Sequence, residues 1–155
     1  MEFMNEKDRF KKSLEFTLKW EGGYSNDKDD PGRETNFGIS KRYHPNIDVK
    51  NLTKEQAAAI YYSDYWLKSG AILTQWPACL AIFDTAVNLG VPRVLSFIAD
   101  YQMDEEENSF GLARYVLARR QAHYERRVKV LPRMKKYLKG WMNRTDDLKK
   151  VGEIK

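Results

Sequence analysis

The sequence predicts a mainly α-helical protein, a helical bundle with a small irregular β-hairpin after the first helix. Three observations lead to this fold class. Apolar residues recur at helical spacing through most of the chain, prolines and glycines separate these periodic segments, and residues 24–40 are instead polar and rich in turn formers. At 155 residues with 42% hydrophobic residues, the chain is long enough to bury one core.

The first helix is predicted over residues 7–20, and Gly22-Gly23 ends it. Its apolar face is formed by Phe10, Leu14, Thr17 and Leu18. Glu21 therefore lies at the C-terminal end of this helix, where the helix dipole is negative. The dipole and the apolar rings of Trp20 and Tyr24 both favour the protonated form of the Glu21 carboxyl.

A polar segment, residues 24–40, follows Glu21 and is predicted to form the hairpin. Asp29-Asp30-Pro31-Gly32 is typical of a turn, and Phe37-Gly38-Ile39 is a short apolar piece. Long irregular segments in compact domains tend to be functional, so we expect a site here.

Caps and breakers delimit the later helices. Thr53-Lys54-Glu55-Gln56 is a capping box, and Pro77 and Pro92 fit first turns. The predicted helices cover residues 53–67, 78–89, 92–101, 109–131 and, after Pro132, 134–141.

The helix at residues 78–89 is apolar on nearly every face, so we expect it to be the central helix. Asp84 and Asn88 are exceptions that share one face. Buried polar groups must be satisfied, so this pair either braces neighbouring groups or lines a cleft. Cys79 lies in the same apolar run and is expected to be a core residue.

Charge is distributed unevenly along the chain. Residues 111–155 carry 14 Lys and Arg against 4 Asp and Glu, whereas residues 1–110 carry 13 against 18. A basic segment can bind nucleic acid, an anionic membrane surface or an anionic polymer, or it can be a solvated helix face. No segment has the roughly 18 apolar residues of a membrane span, and residues 1–8 lack the apolar region of a signal peptide.

Two carboxylates, Glu21 and Asp30, are candidates for the acid and base of glycoside hydrolysis, because their environments differ. Thr35 is a candidate to help Asp30 hold a water. By composition alone, the segment around Asp30 is also typical of an ordinary turn. A calcium loop is excluded because Pro31 and Gly38 take ligand positions, and two separated histidines with one cysteine do not form a zinc motif. We therefore expect no metal and no cofactor.

Four motifs resemble the N-acetylmuramidases of glycoside hydrolase family 108, which are phage endolysins and bacterial secretion muramidases. The first motif is Glu21-Gly22-Gly23-Tyr24. The second comprises Asn26, Asp29-Asp30-Pro31-Gly32 and Thr35-Asn36-Phe37-Gly38-Ile39-Ser40. The last two are Phe83-Asp84-Thr85-Ala86-Val87-Asn88-Leu89-Gly90 and Lys139-Gly140-Trp141-Met142-Asn143-Arg144. The resemblance implies a lysozyme-like α+β fold and cleavage of the β-1,4 bond between N-acetylmuramic acid and N-acetylglucosamine. It implies Glu21 as catalytic acid. The Glu, Asp, Thr order is similar to that of phage-type lysozymes, which supports Asp30 and Thr35 as the residues that position a water.

The resemblance also implies how the chain is organised. We expect a catalytic lobe over residues 1–91 and a helical segment over residues 92–155 that packs on it, in one compact unit. Many family members carry a peptidoglycan-binding segment after Gly90, whereas this chain has Val91-Pro92-Arg93 and an acidic run at residues 104–107. Residues 92–155 are thus at most a reduced peptidoglycan-binding region.

The substrate cleft is expected between residues 24–40 and the face with Asp84 and Asn88. Further candidates for sugar stacking and amide contacts are Tyr24, Asn26, Asn36 and Trp66. Peptidoglycan glycan strands are the expected partner of a monomer that binds no nucleic acid. We expect synthesis in the cytoplasm, export through a holin or a secretion system, and action in the periplasm or at the cell wall. The alternatives are a catalytically silent wall-binding or secretion-accessory module and, third, a basic helical nucleic-acid binder.

Overall fold

Six α-helices and one small sheet make up the part of the chain that the computed structural model describes, residues 3–26, 28, 33–101 and 108–155. The helices are α1 (Glu6–Trp20), α2 (Lys54–Tyr61), α3 (Ala78–Leu89), α4 (Val91–Ala99), α5 (Ser109–Val130) and α6 (Lys135–Val151). The strands are β1 (Ser25–Asn26), β2 (Glu34–Asn36) and β3 (Ile39–Ser40). The predicted class, mainly helical with a small β-hairpin, is confirmed.

The helix ends follow local capping chemistry. The Asn5 side chain accepts a hydrogen bond from the Asp8 amide at the start of α1, and Thr53 and Gln56 form the predicted capping box of α2. Asn108 caps α5 in the same way, and Pro132 lies in a single 3₁₀ turn between α5 and α6. These contacts satisfy backbone amides that have no partner within the helix.

The sequence predicts that the second helix continues as an α-helix to Leu67, but α2 ends at Tyr61. It changes at Tyr62 into a π-helical turn, Tyr62–Leu67. The Ser63 hydroxyl donates to the carbonyl oxygens of Ala59 at 3.1 Å and Ile60 at 3.4 Å. A serine hydroxyl that bonds to the preceding turn competes with the regular backbone ladder, and Ser63 does so where the helix changes.

The central element is α3, whose residues 78–86 are all buried. It packs against α1, α4 and α5, and α6 packs on α5. Asp147 of α6 also reaches α1, where its Oδ2 accepts hydrogen bonds from Lys19 Nζ at 2.9 Å and Trp20 Nε1 at 2.8 Å. These contacts join α6 to the C-terminal end of α1.

The sheet is antiparallel with the order β1-β2-β3. Asn36 pairs with Ile39, so a two-residue turn, Phe37-Gly38, joins β2 to β3. Both turn residues have positive φ, 50° for Phe37 and 76° for Gly38, as expected for a tight hairpin turn. The conformation is unfavourable for a phenylalanine, so contacts from elsewhere must stabilise it.

Within the described residues, none of the helices combines the length and the apolar character that crossing a membrane requires.

Candidate active site

Glu21 is the C-cap of α1, as predicted from Gly22-Gly23. Its backbone N–H donates to the Thr17 carbonyl oxygen at 3.0 Å, and its side chain is 22% exposed. The Phe37-Gly38 turn lies directly beside it, because a Cβ added to Gly38 would be 2.9 Å from both Cγ and Oε2 of Glu21. The carboxyl thus lies between the end of α1 and the hairpin, partly open to solvent.

Tyr61 of α2 connects this turn to the helical core. Its hydroxyl donates to the Phe37 carbonyl oxygen at 2.6 Å. Burial, and then the nearby charge of Glu21, raise the pKa of Tyr61 far above its ordinary value. Because Tyr61 remains protonated, it remains a donor that stabilises the left-handed Phe37 conformation.

Arg144 of α6 contacts Glu21 from another side. Its Nη1 donates to Glu21 Oε1 at 3.0 Å, while its Nε and Nη2 donate to Asp84 at 3.1 Å and 2.7 Å. The Arg144 side chain is 8% exposed. One guanidinium group therefore joins two carboxylates that come from α1 and α3.

Asp84 is fully buried and receives two more hydrogen bonds. Thr17 Oγ1 donates to its Oδ1 at 2.8 Å and Arg120 Nη1 to its Oδ2 at 2.8 Å. Burial alone would raise the pKa of Asp84, but the Arg120 and Arg144 guanidinium groups outweigh it and hold the pKa below its ordinary range. Asp84 is therefore an anion that pairs with two cations in the core.

The same cluster continues along α5. Arg120 Nε donates to the Tyr124 hydroxyl at 2.7 Å, and the Tyr124 hydroxyl donates to Asn88 Oδ1. Arg120 Nη2 is buried and has no hydrogen-bond partner among the described residues. We call Asp84, Asn88, Arg120, Tyr124 and Arg144 the arginine cluster.

A family model matches the part of the chain that contains Glu21 and the hairpin. Residues 14–90 match the family model described as Glycosyl hydrolase 108. The chain carries a glycosyl hydrolase 108 domain. It is accordingly a glycoside hydrolase with a peptidoglycan-degrading, muramidase-type role.

Among solved structures, the chain is similar to the structure of Brucella abortus SagA, with a TM-score of 0.75 and 23% identity over 94% of each chain. At this identity, the likeness shows a shared fold, which agrees with the lysozyme-like α+β class. None of the curated proteins compared with the chain matches it.

The glycosyl hydrolase 108 match includes Glu21, the Phe37-Gly38 turn, Tyr61 and Asp84, and it ends at residue 90. Arg144 lies outside it. The residue that contacts both carboxylates thus belongs to the helical segment that follows the matched domain.

For several residues, the predicted catalytic or sugar-binding role remains a prediction. Asp30 lies outside the described residues. Thr35 lies half-buried on β2, where its hydroxyl donates to the Arg33 carbonyl oxygen at 3.4 Å. Tyr24 is 45% exposed, and Asn26 is exposed on β1. Asn88 is half-buried, and its side-chain oxygen Oδ1 accepts a hydrogen bond from the Tyr124 hydroxyl.

Other predicted contacts with sugar are wrong. Trp66 has no exposed surface; its ring packs against Phe10 and Phe83, and its Nε1 donates to Glu6 at 2.8 Å. Asn36 is 9% exposed, and its amide donates to the Val49 carbonyl oxygen at 3.1 Å, so it joins the hairpin to the following loop.

The predicted sugar contact of Asp84 is also wrong, because Asp84 is fully buried and binds its neighbours instead of lining a cleft.

Sequence reasoning missed the roles of Arg120, Arg144 and Tyr61. One signal was present. Arg120 lies among the apolar residues of α5 that face the core, where a charge requires a buried partner. Among the described residues, His, Cys, Asp and Glu form no group of three that could hold a metal ion.

Proposed function

We propose that the protein is an N-acetylmuramidase that hydrolyses the β-1,4 bond between N-acetylmuramic acid and N-acetylglucosamine, with Glu21 as general acid. The observation that supports this role is the placement of Glu21. Its partly exposed carboxyl lies between the Phe37-Gly38 turn and Arg144, inside the segment that matches glycosyl hydrolase 108. A general acid needs such a position, open to substrate and fixed by the protein.

In this proposal, Glu21 donates its proton to the glycosidic oxygen as the bond breaks. The anomeric carbon acquires oxocarbenium character. A water then forms the new C–O bond and gives its proton to Asp30, the proposed general base. We propose that Asp30 and Thr35 position this water, as their order in the sequence suggests. This assignment predicts inversion at the anomeric carbon, which NMR of the first-formed product measures.

Tyr24 and Asn26 are the proposed sugar contacts. Tyr24 is exposed and directly precedes β1, the strand that begins the hairpin, and Asn26 is exposed on that strand. An exposed tyrosine ring offers an apolar face to a pyranose, and an asparagine amide can both donate and accept hydrogen bonds. These properties suit the N-acetylated sugars of peptidoglycan.

The experiment is digestion of purified peptidoglycan, followed by analysis of the products. New reducing ends on muramic acid support the proposal, whereas reducing ends on glucosamine, or free peptides alone, contradict it. Glu21→Gln keeps the shape of the side chain but cannot supply the proton, so activity should fall by roughly 10²-fold to 10⁴-fold with folding intact. Glu15→Gln is the matched control, because Glu15 is exposed on the same helix.

Because peptidoglycan lies at the cell wall, we propose that the protein acts there as a monomer, in the periplasm or on the wall, and depends on a holin or secretion system for export. We further propose that residues 92–155 form one unit with the lobe at residues 1–91, a view that the contact of Arg144 with Glu21 supports. The digestion also tests the alternative of a silent wall-binding module. Such a module would bind wall material and release no reducing ends.

A further inference from the structure

We propose that Arg144, fixed in place by Asp84, is the positioning residue of the catalytic acid. It orients the Glu21 carboxyl and stabilises the negative charge that Glu21 acquires when it gives up its proton. This inference rests on the proposed role of Glu21 as general acid.

The first step of the argument is geometric. Three N–H groups of Arg144 are used, two on Asp84 and one on Glu21 Oε1. The bidentate pair with Asp84 fixes the plane of the guanidinium group, because a planar fork matches a carboxylate in one orientation. The donor that meets Glu21 is thereby held in a defined direction.

This donor also makes the two oxygens of the Glu21 carboxyl unequal. A guanidinium group can donate hydrogen bonds but cannot accept them, so Oε1 must act as the acceptor. The carbonyl oxygen of a protonated carboxyl accepts more strongly than its hydroxyl oxygen, so this hydrogen bond favours the proton on Oε2, the oxygen that faces the Phe37-Gly38 turn. The geometry assigns Oε2 as the atom that delivers the proton to the glycosidic oxygen.

The second step concerns charge. Arg120 and Arg144 are two buried cations, and Asp84 is one buried anion. With Glu21 protonated, these four groups carry one excess positive charge; after proton transfer, two cations balance two anions. These four groups thus become neutral overall as the reaction proceeds, so their attraction is stronger in the transition state than in the ground state.

Burial strengthens the interaction of this excess positive charge with Glu21. Arg144 is 8% exposed and Asp84 is fully buried, so water screens their charges weakly. Arg144 belongs to α6, whereas the matched domain ends at residue 90. The helical segment therefore supplies a group that the carboxylate of the matched domain requires, in addition to any role in folding.

The test compares Arg144→Gln and Arg144→Lys by steady-state kinetics on a soluble, defined peptidoglycan glycan. Arg144→Gln should lower kcat by about 10²-fold, typical of one preorganised electrostatic donor, and change KM by no more than about twofold. Arg144→Lys should recover part of kcat, because lysine keeps the charge but lacks the fork that fixes it.

Asp147→Asn is the matched control. It removes the α6 contacts to Lys19 and Trp20 without touching Glu21 or Arg144, so it measures the effect of weaker docking of α6. We expect its kcat to stay close to that of the wild type. A loss of kcat in Asp147→Asn equal to that in Arg144→Gln would assign the effect to docking and overturn the inference.

A double-mutant cycle decides whether Arg144 acts through Glu21. In a Glu21→Gln background, Arg144→Gln should cause no further loss of kcat. Full multiplication of the two losses, or wild-type kcat in both Arg144 variants, refutes the inference. If Arg144→Gln does not fold, the cycle is run with Arg144→Lys. An active Glu21→Gln enzyme refutes the proposed function itself, so the two failures are distinguishable.

Discussion

Asp84→Asn should strongly destabilise the fold, although Asp84 lies away from solvent and touches no substrate. Its carboxylate accepts four hydrogen bonds, from Thr17, from Arg120 and twice from Arg144. The variant keeps the size of the side chain but removes the charge, which leaves two buried guanidinium cations without their shared anion. The amide Nδ2 would also point an N–H toward arginine donors.

The expected size follows from that loss. Breaking a buried ion pair on one side costs about 3 to 5 kcal/mol in the free energy of unfolding. For a chain of this length, each kcal/mol lowers the melting temperature by roughly 2 to 4 °C, so we expect a drop of roughly 10 °C at pH 7. Thermal and urea unfolding, followed by circular dichroism, measure both quantities.

The pH dependence gives a second, independent signature. Because the arginines hold the folded-state pKa of Asp84 below its ordinary value of 3.8, Asp84 contributes stability above that pH. This contribution is lost as the pH falls through the lower, folded-state pKa. The difference in unfolding free energy between wild type and Asp84→Asn should therefore shrink as the pH is lowered below about 4.

Asp147→Asn is the control for this prediction as well. Its partner Lys19 is 64% exposed, and an exposed pair contributes about 0 to 1 kcal/mol. If Asp84→Asn unfolds within about 1 kcal/mol of the wild type, or if the difference grows at acid pH, the description of Asp84 as a buried anion is refuted.

Three further predictions concern the turn and the basic surface. Gly38→Ala should lower both kcat and melting temperature, because alanine disfavours a φ of 76° and its Cβ would meet Glu21 and the Tyr61 hydroxyl; unchanged kcat would show that the turn does not place Glu21. Tyr61→Phe should cost about 1 to 3 kcal/mol of stability, since the Phe37 carbonyl loses its donor; a melting temperature equal to that of the wild type contradicts this. Replacing four basic residues with Gln should weaken sedimentation with wall material and flatten its salt dependence while leaving kcat on a short soluble glycan unchanged; equal loss on both substrates would place these residues in the fold or the cleft. The four are Arg126, Arg127, Lys135 and Lys136.

The features predicted correctly from the sequence are those set by local interactions. The position of Glu21 after α1 follows from Gly22-Gly23, and the start of α2 follows from a capping box within four residues. The central place of α3 follows from its apolar composition. Each of these depends on a few neighbouring residues, so the chain order alone is sufficient.

The partners of the candidate site depend on tertiary packing instead. Arg144 lies 123 positions from Glu21 and 60 from Asp84, and nothing in the local pattern pairs them. Trp66 shows the same difficulty, because an aromatic ring at helical spacing suits a core or a cleft equally well. Its burial was decided by Phe10 and Phe83, which come from two other helices.

The separation between Glu21 and Arg144 also has a consequence for the order of events during synthesis. A ribosome makes α1, the hairpin and α3 before it makes α6. While the chain grows, Glu21 and Asp84 are two carboxylates without the guanidinium group that joins them. The centre around Glu21 is therefore assembled only after α6 has emerged and docked, so nascent chains that stop before Arg144 contain the acid but not its finished surroundings.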